Sequence, residues 1–220
     1  MGKTIFLIVD GLGDESIKQL NNKTPLEYAN KPNIGILQKH STLAYPLVLG
    51  KLAPESDSGV LANLGYDPIH VSTGRGWFEC LGLGLKPAEG DISLRVNIGE
   101  VNNNRLSSVR VYLSEDELKE IEDKINKEIS LDYNFEFRTG VGYRAGLIIR
   151  HKDKPFSPFI SNNEPGYITK FYGRNKLSFA TEINSNRIAP IKALKKEADE
   201  TAKVLNEFIK KVSQVLINSS

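Results

Sequence analysis

"TIFLIVDG", residues 4–11, is the stretch on which the fold turns. Ile5 to Val9 form an unbroken apolar run with β-branched Ile5, Ile8 and Val9, and the run stops at Asp10-Gly11. Continuous rather than alternating apolarity is the signature of a strand buried on both faces, as in a parallel sheet covered by helices. The next residues fit that frame. In "KTPLEYANKPNIGILQKHS", Thr24, Pro25 and Glu27 stand at N-cap, N1 and N3, a capping box with proline in its favoured slot. A second helix is expected from about Asn33 to His40. "TLAYPLVLG", residues 42–50, then reads as another strand, giving the strand–helices–strand order of an α/β fold.

After Asp91 the character changes. "ISLRVNIGEV", "RLSSVRVYL" and "GVGYRAGLIIR" alternate partially, as sheet strands do. Ser114 and Glu117 form a second capping box, opening a helix to about Lys127. This region reads as a separate α+β unit. "PFSPFISNNEPGYITKFYGRNK", residues 155–176, reads as a long loop of the kind used for binding or as a lid. "IAPIKALKKEADETAKVLNEFIKKVSQVLIN" reads as one long helix. Its apolar face comprises Ile191, Leu194, Ala198, Ala202, Leu205, Phe208, Val212 and Val215. No internal repeat is present.

Composition narrows the function classes. The chain has 220 residues, 40% hydrophobic and 25% charged, enough to bury a core. Its net charge is only +2, and Lys and Arg are spread rather than massed, which argues against a nucleic-acid partner. Cys80 is the single cysteine, so neither an intrachain disulfide nor a Cys-based zinc site is available. No stretch approaches the ~20 apolar residues of a membrane span. The N-terminus lacks a signal-peptide apolar region, and Phe6 stands where a myristoylation motif needs Ser or Thr. A soluble cytoplasmic protein without membrane partners is expected.

Several residues could carry chemistry. Asp10, at the carboxyl end of the expected first strand, is either a hard-cation ligand for Mg²⁺ or Mn²⁺ or half of an Asp-Gly turn. In "PESDSGVLANLGYDP", residues 54–68, Ser56, Asp57 and Ser58 could each cap a helix beginning near Gly59. The same position would present a serine nucleophile at a helix N-terminus, where phosphate is favoured. Local chemistry does not choose between Ser56 and Ser58. Arg75 lies between glycines, and Arg95 and Arg144 lie in apolar strands where an unpaired guanidinium is costly. Each taken alone suits a structural ion pair; three together suit a phosphate or carboxylate site. His40, His70 and His151 are far apart and read as surface or packing residues, Trp77 and Cys80 as core.

Taken in order, "VDGLGD", "KTPLEYANKPN", "SDSGVLANLGYDP", "TGRGWFECLGLGL" and "DISLRVNIGEV" resemble the archaeal-type cofactor-independent phosphoglycerate mutases of the alkaline phosphatase superfamily. The likeness thins through the middle and returns at "GYRAGLIIR" and "EADETAKVLNEFIKKVSQVL". It implies the start of a phosphatase-like core over 1–90, an inserted α+β substrate domain over 91–188, and a helix returning to the core over 189–220. It also implies interconversion of 3- and 2-phosphoglycerate, a glycolytic reaction, through a phosphoserine. By the family register Ser56 is the nucleophile and a metal ligand, followed by Asp57 at the substrate, and Asp10 is a metal ligand. Arg75, Arg95 and Arg144 would hold substrate phosphate or carboxylate. The family uses two divalent metals, Mn²⁺ or Mg²⁺, and most of their ligands lie beyond the helix that closes this chain. A complementary C-terminal polypeptide is therefore an expected partner for full activity. Glu55 replaces the family's usual glycine, Tyr112 an expected histidine, and Asn162 and Asn163 an acidic loop; "KPNIG" departs from "TPNMD". These departures keep two alternatives open: a non-catalytic phosphometabolite-binding module, and a related metal-dependent phosphatase.

Overall fold

Helix signals that are local in sequence appear where the capping chemistry puts them. In the computed structural model, which describes residues 2–9, 11–44, 47–50, 54–103, 105–173, 175–181, 183 and 185–217, α1 (Pro25–Tyr28) opens on Thr24. The Thr24 hydroxyl accepts from the Glu27 N–H while the Glu27 carboxylate accepts from the Thr24 N–H. Next come α2 (Pro32–Lys39), α3 (Ser56–Asn63), α4 (Pro68–Val71) and α5 (Arg75–Gly82). Strands β1 (Ile92–Asn97), β2 (Glu100–Asn102) and β3 (Arg105–Ser108) precede α6 (Glu115–Glu128), which carries the second capping box at Ser114 and Glu117. The chain continues with β4 (Phe135–Thr139), β5 (Arg144–Ile149), β6 (Tyr167–Tyr172), β7 (Asn175–Ala180) and α7 (Asp199–Ile217).

Two compact units divide the chain, Met1–Pro46 and Leu47–Ser220. In the first, the described part of "TIFLIVDG" forms no strand, contrary to the expectation from its apolarity. Ile5, Phe6, Leu7, Ile8 and Val9 are all exposed. A parallel-type strand is stable only between neighbours that pair both of its edges and cover both faces. Among the described residues nothing pairs with it. "TLAYPLVLG" likewise shows no strand at its described positions 42–44 and 47–50.

The larger unit is built on an antiparallel sheet in the order β1-β5-β4. One face carries Ile92, Leu94 and Val96 of β1, Phe137 of β4, and Ala145, Leu147 and Ile149 of β5. These pack against Ile125 and Ile129 from the α6 end and Ala202, Leu205 and Phe208 of α7. On the opposite face Ile148 packs with Cys80 and Leu85, beside α5. Strand β5 is thus covered on both sides, which explains its unbroken "AGLII". Two further hairpins, β2–β3 and β6–β7, complete the unit.

Two sequence expectations for this unit are corrected. The stretch read as a loop over 155–176 contains all of β6 and the start of β7, joined at Gly173, whose φ of +64° supplies the reversal. The long helix begins only at Asp199, after a 3₁₀ turn over Lys196–Ala198. Upstream of that turn the chain is held extended. The Ser161 N–H donates to the Lys192 carbonyl, the Leu194 N–H to the Phe159 carbonyl, and the Asn206 side chain bonds both polar groups of Ile191. These tertiary bonds outweigh a helical apolar spacing that Pro190 already weakens. Ala198, Ala202, Leu205 and Phe208 are buried as the spacing predicts, while Leu194 is exposed.

Candidate functional site

Gly76 brings the site together. A Cβ at this position of α5 would lie 2.0 Å from the Ser93 carbonyl oxygen, so the helix backbone rests directly on β1. Arg75, at the first position of α5, is thereby set beside the β1 face that carries Ser93, Arg95 and Asn97. The period-2 geometry that sends Leu94 and Val96 into the core turns those three residues the other way.

The N-terminus of α3 approaches the same place. The helix starts at Ser56 with Glu55 as N-cap, and no side chain caps it. The capping role expected for Ser56, Asp57 or Ser58 is therefore not what these residues do, because the helix begins three residues before Gly59. Buried Ser58 instead donates its hydroxyl to the Glu55 carbonyl at 3.1 Å. Ser56 is exposed at the first helical position. Glu55 is buried, and its carboxylate forms an ion pair with the Arg75 guanidinium.

A cavity of about 900 Å³ opens here. Its polar wall carries Glu55, Asp57, Arg75, Arg95, Glu164 and Lys176; much of the remainder is apolar, including Ile125, Phe137, Leu147 and Phe208. Arg95 is 14% exposed, and its nearest carboxylate, Glu79, lies 3.8 Å away without a hydrogen bond. Its Nε is buried with no hydrogen-bond partner among the described residues. Burial, with Arg75 and Arg144 nearby, holds the Arg95 guanidinium below its ordinary range despite Glu79. Arg144 lies at the exposed start of β5, opposite Asn97 in the strand register.

The β6–β7 hairpin supplies the far wall. It is tied to the α4 region by the Asn175 amide donating to the Ile69 carbonyl at 2.7 Å and by the Ser72 hydroxyl donating to the Lys176 carbonyl. Just before the hairpin, Glu164 accepts from the Asn97 amide at 3.0 Å. Burial raises the Glu164 carboxyl above its usual range, outweighing the pull of Arg95 and the Asn97 bond. Lys176 has no carboxylate within ion-pair reach among the described residues, and burial pushes its ammonium down to about 8.

The structure thus gathers Asp57, Arg75 and Arg95 on one cavity and sets Arg144 within electrostatic range of Arg95; exposed Ser56, between Glu55 and Asp57 in sequence, is not on the cavity wall. Asp10 lies outside the described residues. Glu164, Lys176 and the Glu55–Arg75 pairing were not anticipated; the only sequence hint was a single acid, Glu164, in an Asn- and Tyr-rich stretch whose other charged residues are all basic. Trp77 is half-buried on the cavity wall, Cys80 is fully buried, and His40 and His70 are exposed. Three cationic groups, Arg75, Arg95 and Lys176, face the cavity beside the carboxylates of Glu55, Asp57 and Glu164, and one keeps an unbonded buried N–H, a chemistry suited to holding a phosphate or carboxylate. A metal centre is a different matter. Among the described residues no three His, Cys, Asp or Glu side chains come together. Of the two carboxylates that flank Ser56 in sequence, Glu55 is already engaged by Arg75. No helix among the described residues is long and apolar enough to cross a membrane.

Comparison with known proteins gives a consistent result. A sequence model of 2,3-bisphosphoglycerate-independent phosphoglycerate mutase matches residues 44–220. Enzymes of that name from Pyrococcus horikoshii and Sulfolobus acidocaldarius are each 33% identical, over 97% and 99% of this chain respectively. The matches cover 48% and 50% of those relatives, so the chain spans about half their length. Among solved structures, a cofactor-independent phosphoglycerate mutase from Thermoplasma acidophilum aligns at TM-score 0.53 with 27% identity, over 95% of this chain and 50% of its own. A protein from Pyrococcus horikoshii aligns at TM-score 0.60 with 28% identity, over 94% and 42%.

Proposed function

The chain belongs to the 2,3-bisphosphoglycerate-independent phosphoglycerate mutase family, and from that premise we propose that it is the nucleophile-bearing part of such an enzyme. In this reading residues 1–90 begin the phosphatase-like core, 91–188 form the inserted substrate domain, and 189–220 return to the core. The substrate is phosphoglycerate, the setting is glycolysis in the cytoplasm, and a complementary C-terminal polypeptide completes the site. The exposed apolar run Ile5–Val9 supports the last point, since an apolar run of that character is buried only between sheet neighbours, and none pairs with it among the described residues.

The observation that carries the proposal is Arg95: a nearly buried guanidinium on a cavity wall, whose Nε makes no hydrogen bond and is paired only loosely with Glu79 at 3.8 Å. Such a group is stabilised by an anion entering the cavity. Arg95 and Arg75 would fix the substrate phosphate or carboxylate, Arg144 would add positive charge from the rim, and Asp57 would contact the substrate beside Ser56. The Ser56 oxygen would attack phosphorus, forming the phosphoserine as the bond to the substrate oxygen breaks. Return of the phosphoryl group to the neighbouring hydroxyl of glycerate would yield the isomer. Two divalent ions, Mn²⁺ or Mg²⁺, belong to the same proposal. They would neutralise phosphoryl charge. Asp10 and Ser56 supply fewer oxygens than the six such ions take, so this chain does not fit that centre by itself, and no step is derived through it.

The test is transfer of label from ³²P-phosphoglycerate to Ser56 in the chain completed by its complementary half. Ser56→Ala is expected to abolish labelling; an equally labelled variant overturns the assignment. One observation favours the second reading, a binding module without catalysis: Glu55 and Asp57 line the cavity while Ser56 is exposed beside it. Saturable phosphoglycerate binding without label transfer distinguishes that case, and release of free phosphate distinguishes a phosphatase.

A further inference from the structure

The two half-buried arginines of the cavity are not equivalent. Arg75 is paired through its Nη1 with the Glu55 carboxylate, whose side chain is 7% exposed. Arg95 has its nearest carboxylate 3.8 Å away and keeps a buried N–H unbonded. An anion entering beside Arg95 therefore meets an Arg75 that already holds a carboxylate. We propose that Glu55 is an internal stand-in for the ligand anion, and that ligand binds by displacing it from Arg75. The proposal rests on reading the arginine cavity as a phosphate or carboxylate site, and it assigns Glu55 a specificity role within it.

The geometry permits the exchange. The Glu55 backbone is fixed, because its carbonyl accepts both the Ser58 hydroxyl at 3.1 Å and the Gly59 N–H at 2.8 Å. Its side chain caps nothing in α3 and makes its ion pair outside the helix. Side-chain rotation alone thus releases Arg75 without disturbing the helix that carries Ser56. The exchange substitutes one anion for another on the guanidinium, so no bare charge is left on Arg75. The freed carboxylate must become solvated or be pushed aside, and a weakly held anion does not compensate for that. A phosphate dianion, with more charge and three oxygens for the guanidinium forks, does so better than a simple carboxylate or chloride. Glu55 thereby sets a threshold that selects for phosphorylated ligands.

The experiment is calorimetric titration of inorganic phosphate into the full chain and into Glu55→Gln, Glu55→Ala and Arg95→Met, with folding checked by circular dichroism. Removing the internal competitor is expected to tighten phosphate binding by about ten-fold or more in both Glu55 variants. A purely structural role for Glu55 predicts the opposite, since losing the pair would loosen the site. Phosphate binding that Arg95→Met abolishes but the Glu55 variants leave unchanged or weaken overturns this inference and leaves the arginine site standing. Absence of phosphate binding in every form overturns both. Should the Glu55 variants not fold, the unaltered chain decides. The Arg75 side-chain N–H resonance, assigned with Arg75→Lys, is expected to shift with phosphate as its partner changes; an Arg75 resonance unmoved at saturation overturns the exchange.

Discussion

Replacing Gly76 by alanine probes the contact on which the site depends. The added Cβ would meet the Ser93 carbonyl oxygen at 2.0 Å, the Ser93 carbonyl carbon at 2.5 Å and the Leu94 Cα at 2.7 Å. Real Cβ atoms essentially never come closer than 3.0 Å to such neighbours, and all three belong to backbone within a paired strand. Side-chain rotation therefore offers no relief, and α5 must lift from β1 by roughly 1 Å. Overpacking of this kind costs about 3 kcal/mol. With a urea dependence of roughly 2–3 kcal/mol per molar, the unfolding midpoint should fall by about 1 to 1.5 M. The same displacement carries Arg75 away from Arg95, so phosphate affinity should fall as well. Urea unfolding followed by fluorescence of Trp77, itself on α5, reads the first effect and calorimetry the second. A variant with unchanged midpoint and unchanged phosphate binding would refute the close approach of α5 to β1 and the site built on it.

Other consequences are open to measurement. Burial pushes Lys176 down to about 8 from an ordinary 10.5. The unfolded chain then binds more protons between those values, so the penalty is present in full below pH 8 and fades as pH rises toward 10.5. Lys176→Met should therefore exceed the unaltered chain in stability at pH 7, by up to about 3 kcal/mol, with the difference closing by pH 10.5; a constant difference contradicts the assignment. Burial also pushes the Cys80 thiol up to about 11. Its reaction with a disulfide reagent at pH 8 should follow the unfolding rate, and modification of the native chain at the speed of a free thiol would count against a buried Cys80.

What the sequence made legible was local. Both capping boxes, at Thr24 and at Ser114, are settled by residues three apart, and both form. The β1 and β5 strands carry their pattern within six residues. Misreadings arose where distant contacts decide. Ile5–Val9 has the composition of a buried strand, but composition does not supply a neighbouring strand. Residues 188–195 keep helical spacing, yet bonds to 159–161 and to Asn206 hold them extended. The β6–β7 hairpin was hidden behind a Pro-, Asn- and Gly-rich approach. In the site, Arg75 and Arg95 stood out because guanidinium groups in apolar or glycine-flanked segments need a reason. The Glu55–Arg75 pair did not, since its partners are 20 residues apart and meet only when the α3 and α5 starts converge. Glu164 and Lys176 reach the cavity through the same long-range packing.

The central claim is that Arg95 and its neighbours receive a phosphorylated carboxylic acid. Calorimetric titration of 3-phosphoglycerate into the full chain and into folded Arg95→Met tests it most directly. Saturable one-to-one binding that the substitution weakens by roughly 30-fold or more is the predicted result. Equal binding by the variant, or no binding by the unaltered chain, would contradict the account.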